Sequence, residues 1–169
     1  MVLAKICLVF AAACPCTVPP GIPRDELPRF LSERAWEESA AVFVARVVGS
    51  DTLRQSSPDT SWVETPQGSQ MLVQRPQVYA LRYHVEVLDA WKGTVGTDAH
   101  IVAEGLMSSC GRRYTIGETY LIYADEHAGR STYETISCSR VLPLSAAELD
   151  LERLARRRAG WQGARSHGS

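Results

Sequence analysis

The groups in this chain with the strongest intrinsic chemistry are its thiols. Cys14 and Cys16 stand one residue apart around Pro15, and their distant companions are Cys110 and Cys138; the fifth cysteine, Cys7, falls in an N-terminal leader. Four thiolates can hold zinc, but C-x-C with two isolated partners lacks the paired spacing of zinc ribbons and fingers. In an oxidising compartment an even set of cysteines reads instead as two disulfides, with three connectivities on paper. A Cys14–Cys16 bridge would close a tiny strained ring through Pro15, so two connectivities stay open, each joining Cys14 and Cys16 to Cys110 and Cys138. Either one ties the start of the mature chain to its far half. The loops are roughly 100 residues long, and chain entropy gives about 4–5 kcal/mol for the first bridge and less for the second. Cys110, in "SSCGRR", has a nucleophile's residue type, yet an even thiol count in an exported chain favours the bridged form.

Other chemistry is sparse. His84, His100, His127 and His167 are scattered and make no HExxH or similar metal spacing. There is no GxSxG elbow, no phosphate-cradling glycine loop and no dinucleotide fingerprint, so the sequence does not read as an enzyme and no cofactor is expected. A formal net charge of -1 lacks the basic excess of a nucleic-acid footprint. No apolar run reaches the length of about 20 residues that a membrane span needs.

The leader itself has a recognisable grammar. Lys5 supplies positive charge, Ile6 to Phe10 an apolar stretch, and Ala11, Ala12 and Ala13 a small-residue cleavage site. Residues 1–13 therefore read as a signal peptide, and cutting after Ala13 would make Cys14 the first residue of an exported protein. Secretion to an extracellular or periplasmic space follows. A cysteine directly after small residues also suits lipoprotein processing, in which Cys14 would be acylated.

The elements that must position these cysteines can be read from periodicity. "RDELPRFLSERAWEES" carries Leu27, Phe30, Leu31 and Trp36 near helical spacing and predicts one or two short helices. "AAVFVARVVGS" is rich in β-branched residues and predicts a strand. Residues 51–77 are polar and read as a long excursion, with Met71 to Val73 as a brief strand inside it. In "YALRYHVEVLDAWKG" the residues Tyr79, Leu81, Tyr83, Val85 and Val87 alternate with Arg82, His84 and Glu86, which predicts one buried and one wet face with His84 solvated. "AHIVAEG", "TYLIYAD" and "TYETISCSRVLP" predict three further strands, the last ending at Pro143. Short strands with glycine turns predict a small closed barrel, which removes exposed edges. "LSAAELDLERLARRRAGW" predicts a closing helix over 145–158, with Ser145 and Glu148 as a capping box and Leu149, Leu151 and Leu154 on one stripe. Arg153, Arg156, Arg157 and Arg158 read as a solvated helix end, and 159–169 as a disordered tail. With 45% hydrophobic residues in 169, a single globular domain over 14–144 is expected.

In order along the chain, "CPCTVPP", "AAVFVARVVGS", "VEVLDAWKG", "SSCGRRYTIGETYLIYA" and "TISCSRVLPL" resemble the tissue inhibitors of metalloproteinases and the wider netrin-like family. The resemblance implies a mainly β chain, a five-stranded OB-fold Greek-key barrel with flanking short helices. It implies the pairing Cys14–Cys110 and Cys16–Cys138. It implies that the free α-amine and the carbonyl oxygen of Cys14 chelate the catalytic zinc of a metalloproteinase, that Pro15 points at the pocket beside that zinc, and that Ser108, Ser109, Cys110 and Gly111 lie along the cleft. The implied protein is a secreted, monomeric protease inhibitor. A netrin-like module that binds other proteins without inhibiting a protease is the alternative from a different class.

Overall fold

The structure is a computed structural model and describes residues 16, 18–54, 60–73, 78–104, 112–127, 131–136 and 138–166. The leader 1–13, Cys14, Pro15 and the 108–111 segment all lie outside the described residues.

The chain is mainly β. Among the described residues a single helix, α1 (Leu27–Glu38), precedes strands β1 (Ala41–Arg54), β2 (Thr60–Thr65), β3 (Gly68–Val73), β4 (Val78–Lys92), β5 (Asp98–Glu104), β6 (Thr119–Glu126), β7 (Thr132–Thr135) and β8 (Val141–Pro143). A short 3-10 turn (Leu144–Ala146) then leads to α2 (Glu148–Ser166). Six strands form one mixed sheet in the order β1-β4-β5-β7-β6-β8, and β1 also pairs with β6. The pairings β1–β4, β4–β5, β7–β6 and β6–β1 are antiparallel and β5–β7 is parallel, so five strands make a closed circuit of hydrogen-bonded neighbours. Between β6 and β7 the circuit is joined by only Asp125 opposite Glu134 and Glu126 opposite Tyr133. β8 lies along the rest of that β6 edge, Tyr120 to Ile122.

Inside the circuit pack Phe43, Ala45, Val47, Tyr83, Val85, Ile101, Tyr120, Ile122 and Tyr133, all buried. A second cluster lies on the outside of β1 and β6, where Val42, Val44, Leu121 and Tyr123 meet Ala147, Leu151 and Leu154 near the start of α2 and Ala35 and Trp36 of α1. This two-sided cover explains the sequence. β1 opens with five consecutive buried residues, and so does the middle of β6, because both faces are dry and alternation has nothing to read. β4 is covered on one face in its middle and alternates there, although Tyr79 at its open end is half exposed, contrary to its predicted inward face.

α1 is one continuous helix. Pro28 sits in its first turn, where a missing N–H costs nothing. Its C-terminal end is closed from outside: Lys92 Nζ donates to the carbonyls of Trp36 at 2.6 Å and Ser39 at 2.5 Å, satisfying acceptors the helix leaves open. Gly93, next to that lysine, has φ +79° and a Cβ there would stand 2.9 Å from the Ala40 carbonyl oxygen. Only glycine fits this crossing of β4 over the start of β1.

Four sequence expectations change. The 51–77 excursion is built: β1 continues to Arg54, and β2 and β3 form a two-stranded hairpin in which Trp62 faces Met71. The predicted fifth strand is two, β7 and β8, because the chain turns at 136–139, where Ser139 N–H donates to the Ile136 carbonyl and Ser139 Oγ accepts from the Ile136 N–H. Ser145 lies in the 3-10 turn rather than capping α2, and α2 runs 148–166 instead of 145–158, through most of the stretch expected as tail. Finally, Leu149 is exposed while Asp150 beside it is buried, so the packed stripe of α2 is Asp150, Leu151 and Leu154.

Candidate functional site

The described cysteines meet. Cys16 and Cys138 are joined by a disulfide, with Cα atoms 5.4 Å apart and 122 residues between them in sequence. Cys14 and Cys110 lie outside the described residues, as does their predicted bridge. Cys138 sits in the turn between β7 and β8, so the bridge fastens the start of the described chain to the end of the circuit near the thin β6–β7 junction.

The neighbourhood of this bridge is a cleft of about 420 Å³ between the N-terminal segment, α1 and the β7–β8 turn. Val18, Leu31 and Ile136 supply apolar wall, and Arg34, Asp125 and Arg140 supply charge. Arg112 reaches the same place: its guanidinium donates to the Ser139 carbonyl at 2.8 Å. The chain that emerges from 105–111 is thereby fixed beside the residue that follows Cys138. Tyr114 anchors it further. Its N–H donates to the Tyr83 hydroxyl at 3.2 Å and its own hydroxyl donates to Thr135 Oγ1 at 2.9 Å, all within the buried core. Tyr114 stacks edge-on against Tyr83 and Tyr120 with ring centres 4.9 and 5.2 Å away. Burial pushes its phenol well above the ordinary tyrosine range, so it is a neutral structural post.

Behind the cleft lies a polar network that periodicity does not reveal. Arg140 grips Asp150 with two bonds, Nε to Oδ1 at 2.9 Å and a terminal nitrogen to Oδ2 at 2.7 Å. The Tyr123 hydroxyl donates to Oδ1 at 3.1 Å, and buried Ser32 of α1 adds a further hydrogen bond. Desolvation pushes the Asp150 carboxyl up, but the bonds from Arg140, Ser32 and Tyr123 together with the Arg140 charge outweigh it and hold it below the usual carboxylate range. Tyr123 is pushed up to about 12, by burial first and by the Asp150 charge second. Three elements, β6, α1 and α2, thus share one ion pair.

Arg156, Arg157 and Arg158 are exposed, as a solvated helix end would be, and Arg156 pairs within α2 with Glu152; three of the arginines also fasten α2 to other elements. Arg153 donates to the Pro28 carbonyl at 3.1 Å, Arg157 lies over the Trp36 ring at 5.1 Å, and Arg158 pairs with Asp89 at 3.0 Å while stacking 3.7 Å above Trp91. His84 is half exposed and bonded to Asp51 Oδ2 at 2.7 Å, so it too has a partner the sequence reading did not give it. Among the described residues no three His, Cys, Asp or Glu side chains converge in a way that could hold a metal ion, and no helix is long and apolar enough to cross a membrane.

No family model matches this chain, and no curated protein matches it. The site therefore stands on its own geometry: a cross-linked N-terminal strap, a fixed return segment after residue 111, and a cleft between them.

Proposed function

We propose that the chain is an exported inhibitor of zinc metalloendopeptidases of the netrin-like kind, in which the circuit of strands is an OB-fold barrel and the N-terminal strap is the inhibitory edge. The observation that carries this reading is the Cys16–Cys138 bond, since it fixes the chain two residues beyond Cys14. Arg112 supports it by holding the segment after Ser108, Ser109, Cys110 and Gly111 against Ser139, next to the same bond. Strand connectivity supports it as well: a five-membered circuit with one parallel contact, β5 with β7, suits a Greek-key barrel.

In this proposal Cys14, freed by cleavage after Ala13, presents its α-amine and carbonyl oxygen to the protease's zinc, which keeps one position open for water or substrate. An α-amine with an ordinary pKa of about 7.7–8.0 loses its proton readily to a metal near neutral pH. Pro15 has no N–H and a fixed φ, so the strap enters the cleft already rigid and little ordering entropy is lost on binding. Rigidity alone gives no affinity without the free amine.

The test follows from that dependence. Intact mass and N-terminal sequencing of the exported protein should show Cys14 first, unacylated and oxidised. Assayed against a panel of zinc endopeptidases, this form should inhibit, and the same protein with one alanine added before Cys14 should lose inhibition by 10²-fold or more, on the order of one lost metal chelate. Equal inhibition by the extended form would remove chelation, and no inhibition by either would leave a netrin-like interaction module.

A further inference from the structure

The outer face of the sheet, away from the cleft, carries a pair of histidines in register. His84 on β4 lies directly opposite His100 on β5, and their ring centres are 4.8 Å apart with planes at 87°. Neighbouring residues Tyr83, Val85, Ala99 and Ile101 point inward to the core, so both imidazoles stand on the outside. Gly49 of β1 faces His84 on its other flank. The ring's Cδ2 comes within 3.8 Å of where a Gly49 Cβ would be, an ordinary van der Waals distance, so that edge of the ring lies against β1.

Ring orientation follows from these contacts. Nε2 of His84 is held by Asp51 Oδ2 at 2.7 Å, and Cδ2, its neighbour in the ring, faces β1. The remaining nitrogen, Nδ1, is on the ring edge across from Cδ2, and His100 stands on the flank of His84 opposite Gly49. On His100 the Nδ1 atom is shielded from solvent and has no hydrogen-bond partner among the described residues. A shielded ring nitrogen left without a partner is costly unless something fills its lone pair or accepts its proton.

We propose that His84 and His100 form a two-histidine site for a late first-row divalent cation such as Zn²⁺, Ni²⁺ or Cu²⁺, oriented by Asp51. Imidazole is the side chain these ions prefer. Two imidazoles on one ion, with metal–nitrogen bonds of about 2.0–2.1 Å and a near-tetrahedral angle, hold their ring centres about 5 Å apart, close to the separation seen. Asp51 plays the part of the carboxylate behind a metal-bound histidine, fixing the tautomer so that Nδ1 carries the lone pair and raising its basicity. The other coordination positions go to water or to a donor on a second molecule. This site is independent of the inhibitory strap.

Calorimetric titration of the oxidised, processed protein with Zn²⁺, and separately with Ni²⁺, tests it. The proposed N-terminal amine also binds metal, so the titration is run on the protein with that amine acetylated. One equivalent should bind. H84A and H100A should each weaken binding about 10²-fold, the loss of one arm of a chelate, and D51N about tenfold. Cu²⁺ electron paramagnetic resonance on the protein with His84 and His100 intact should show coupling to two imidazole nitrogens, a readout that does not depend on how the variants fold. No saturable binding, unchanged affinity in both histidine variants, or a copper spectrum without imidazole coupling would overturn the site. Failure here leaves protease inhibition untouched, because the two are measured on different ligands.

Discussion

Two parts of the same long strands, β1 and β4, live in different worlds. Near Ala41 and Lys92 they are closed into the circuit, covered outside by both helices and fastened by Lys92, Arg158 and the Asp150 network. Toward Arg54 and Val78 they run out of the circuit and lead to the β2–β3 hairpin, which among the described residues pairs only with itself and shows Trp62 at 72% and Met71 at 57% exposure. Strands are paired in both. What differs is side-chain burial, and so nearly all the stability that sequence changes can remove resides in the first region.

The largest break in that contrast should come from the cross-link. With 122 residues between its cysteines, the Cys16–Cys138 bond restrains a long loop of the unfolded chain, and the chain-entropy model gives about 4–5 kcal/mol. Cys16→Ser with Cys138→Ser should show a loss approaching that value by urea unfolding where no second bridge closes the loop, and a smaller loss with the proposed Cys14–Cys110 bridge in place. A loss under about 1 kcal/mol would mean that the predicted Cys14–Cys110 bridge, by closing nearly the same loop, already carries most of the restraint.

Asp150 is the next lever. Removing one partner of a buried ion pair leaves the other charge uncompensated, which costs about 3–5 kcal/mol, so Asp150→Ala should be strongly destabilising while Glu148→Ala on the exposed side should not. The pH dependence has a definite sign. The folded-state pKa is depressed, so this contribution is fully present above the unfolded value of about 3.9 and is lost as pH falls from there through the lower, folded value. Asp150→Asn should remove that part of the acid-induced loss, and an unchanged acid unfolding curve in this variant would show that the pair contributes no net linkage.

The same contrast explains what could be read in advance. β1 and β6 were legible because two-sided burial writes unbroken apolar runs such as Val42 to Ala45 and Leu121 to Ala124. Of the hairpin only the end of β3, Met71 to Val73, was legible, because with no core beneath it Thr60, Trp62 and Glu64 follow no burial pattern and the rest of the run from Asp51 to Gln77 looks like polar loop. Asp150 was missed for another reason. Its charge is met by Arg140, ten residues away in the turn before β8, and a local period registers Leu149 while being blind to a partner in space. At the cleft, the cysteine pattern narrowed the pairings to two, whereas Arg112 and Tyr114, two ordinary-looking residues after "SSCG", belong to no motif that singles them out.

The smallest effect should be found at the hairpin. Trp62 and Met71 are directly opposed and mostly in water; their mutual contact is a cross-strand pair worth about 0.2–1 kcal/mol locally, and it is coupled to the circuit only through the ends of β1 and β4. Trp62→Ser should therefore change the free energy of global unfolding by no more than about 0.5 kcal/mol. Tryptophan fluorescence gives the companion measurement, since quenching by iodide should fall more in this variant than in Trp36→Phe, whose ring lies against Lys92 and Arg157. A global loss of 2 kcal/mol or more on removing Trp62 would mean that the hairpin folds back onto the circuit in solution, and the division drawn between the two regions would have to be abandoned.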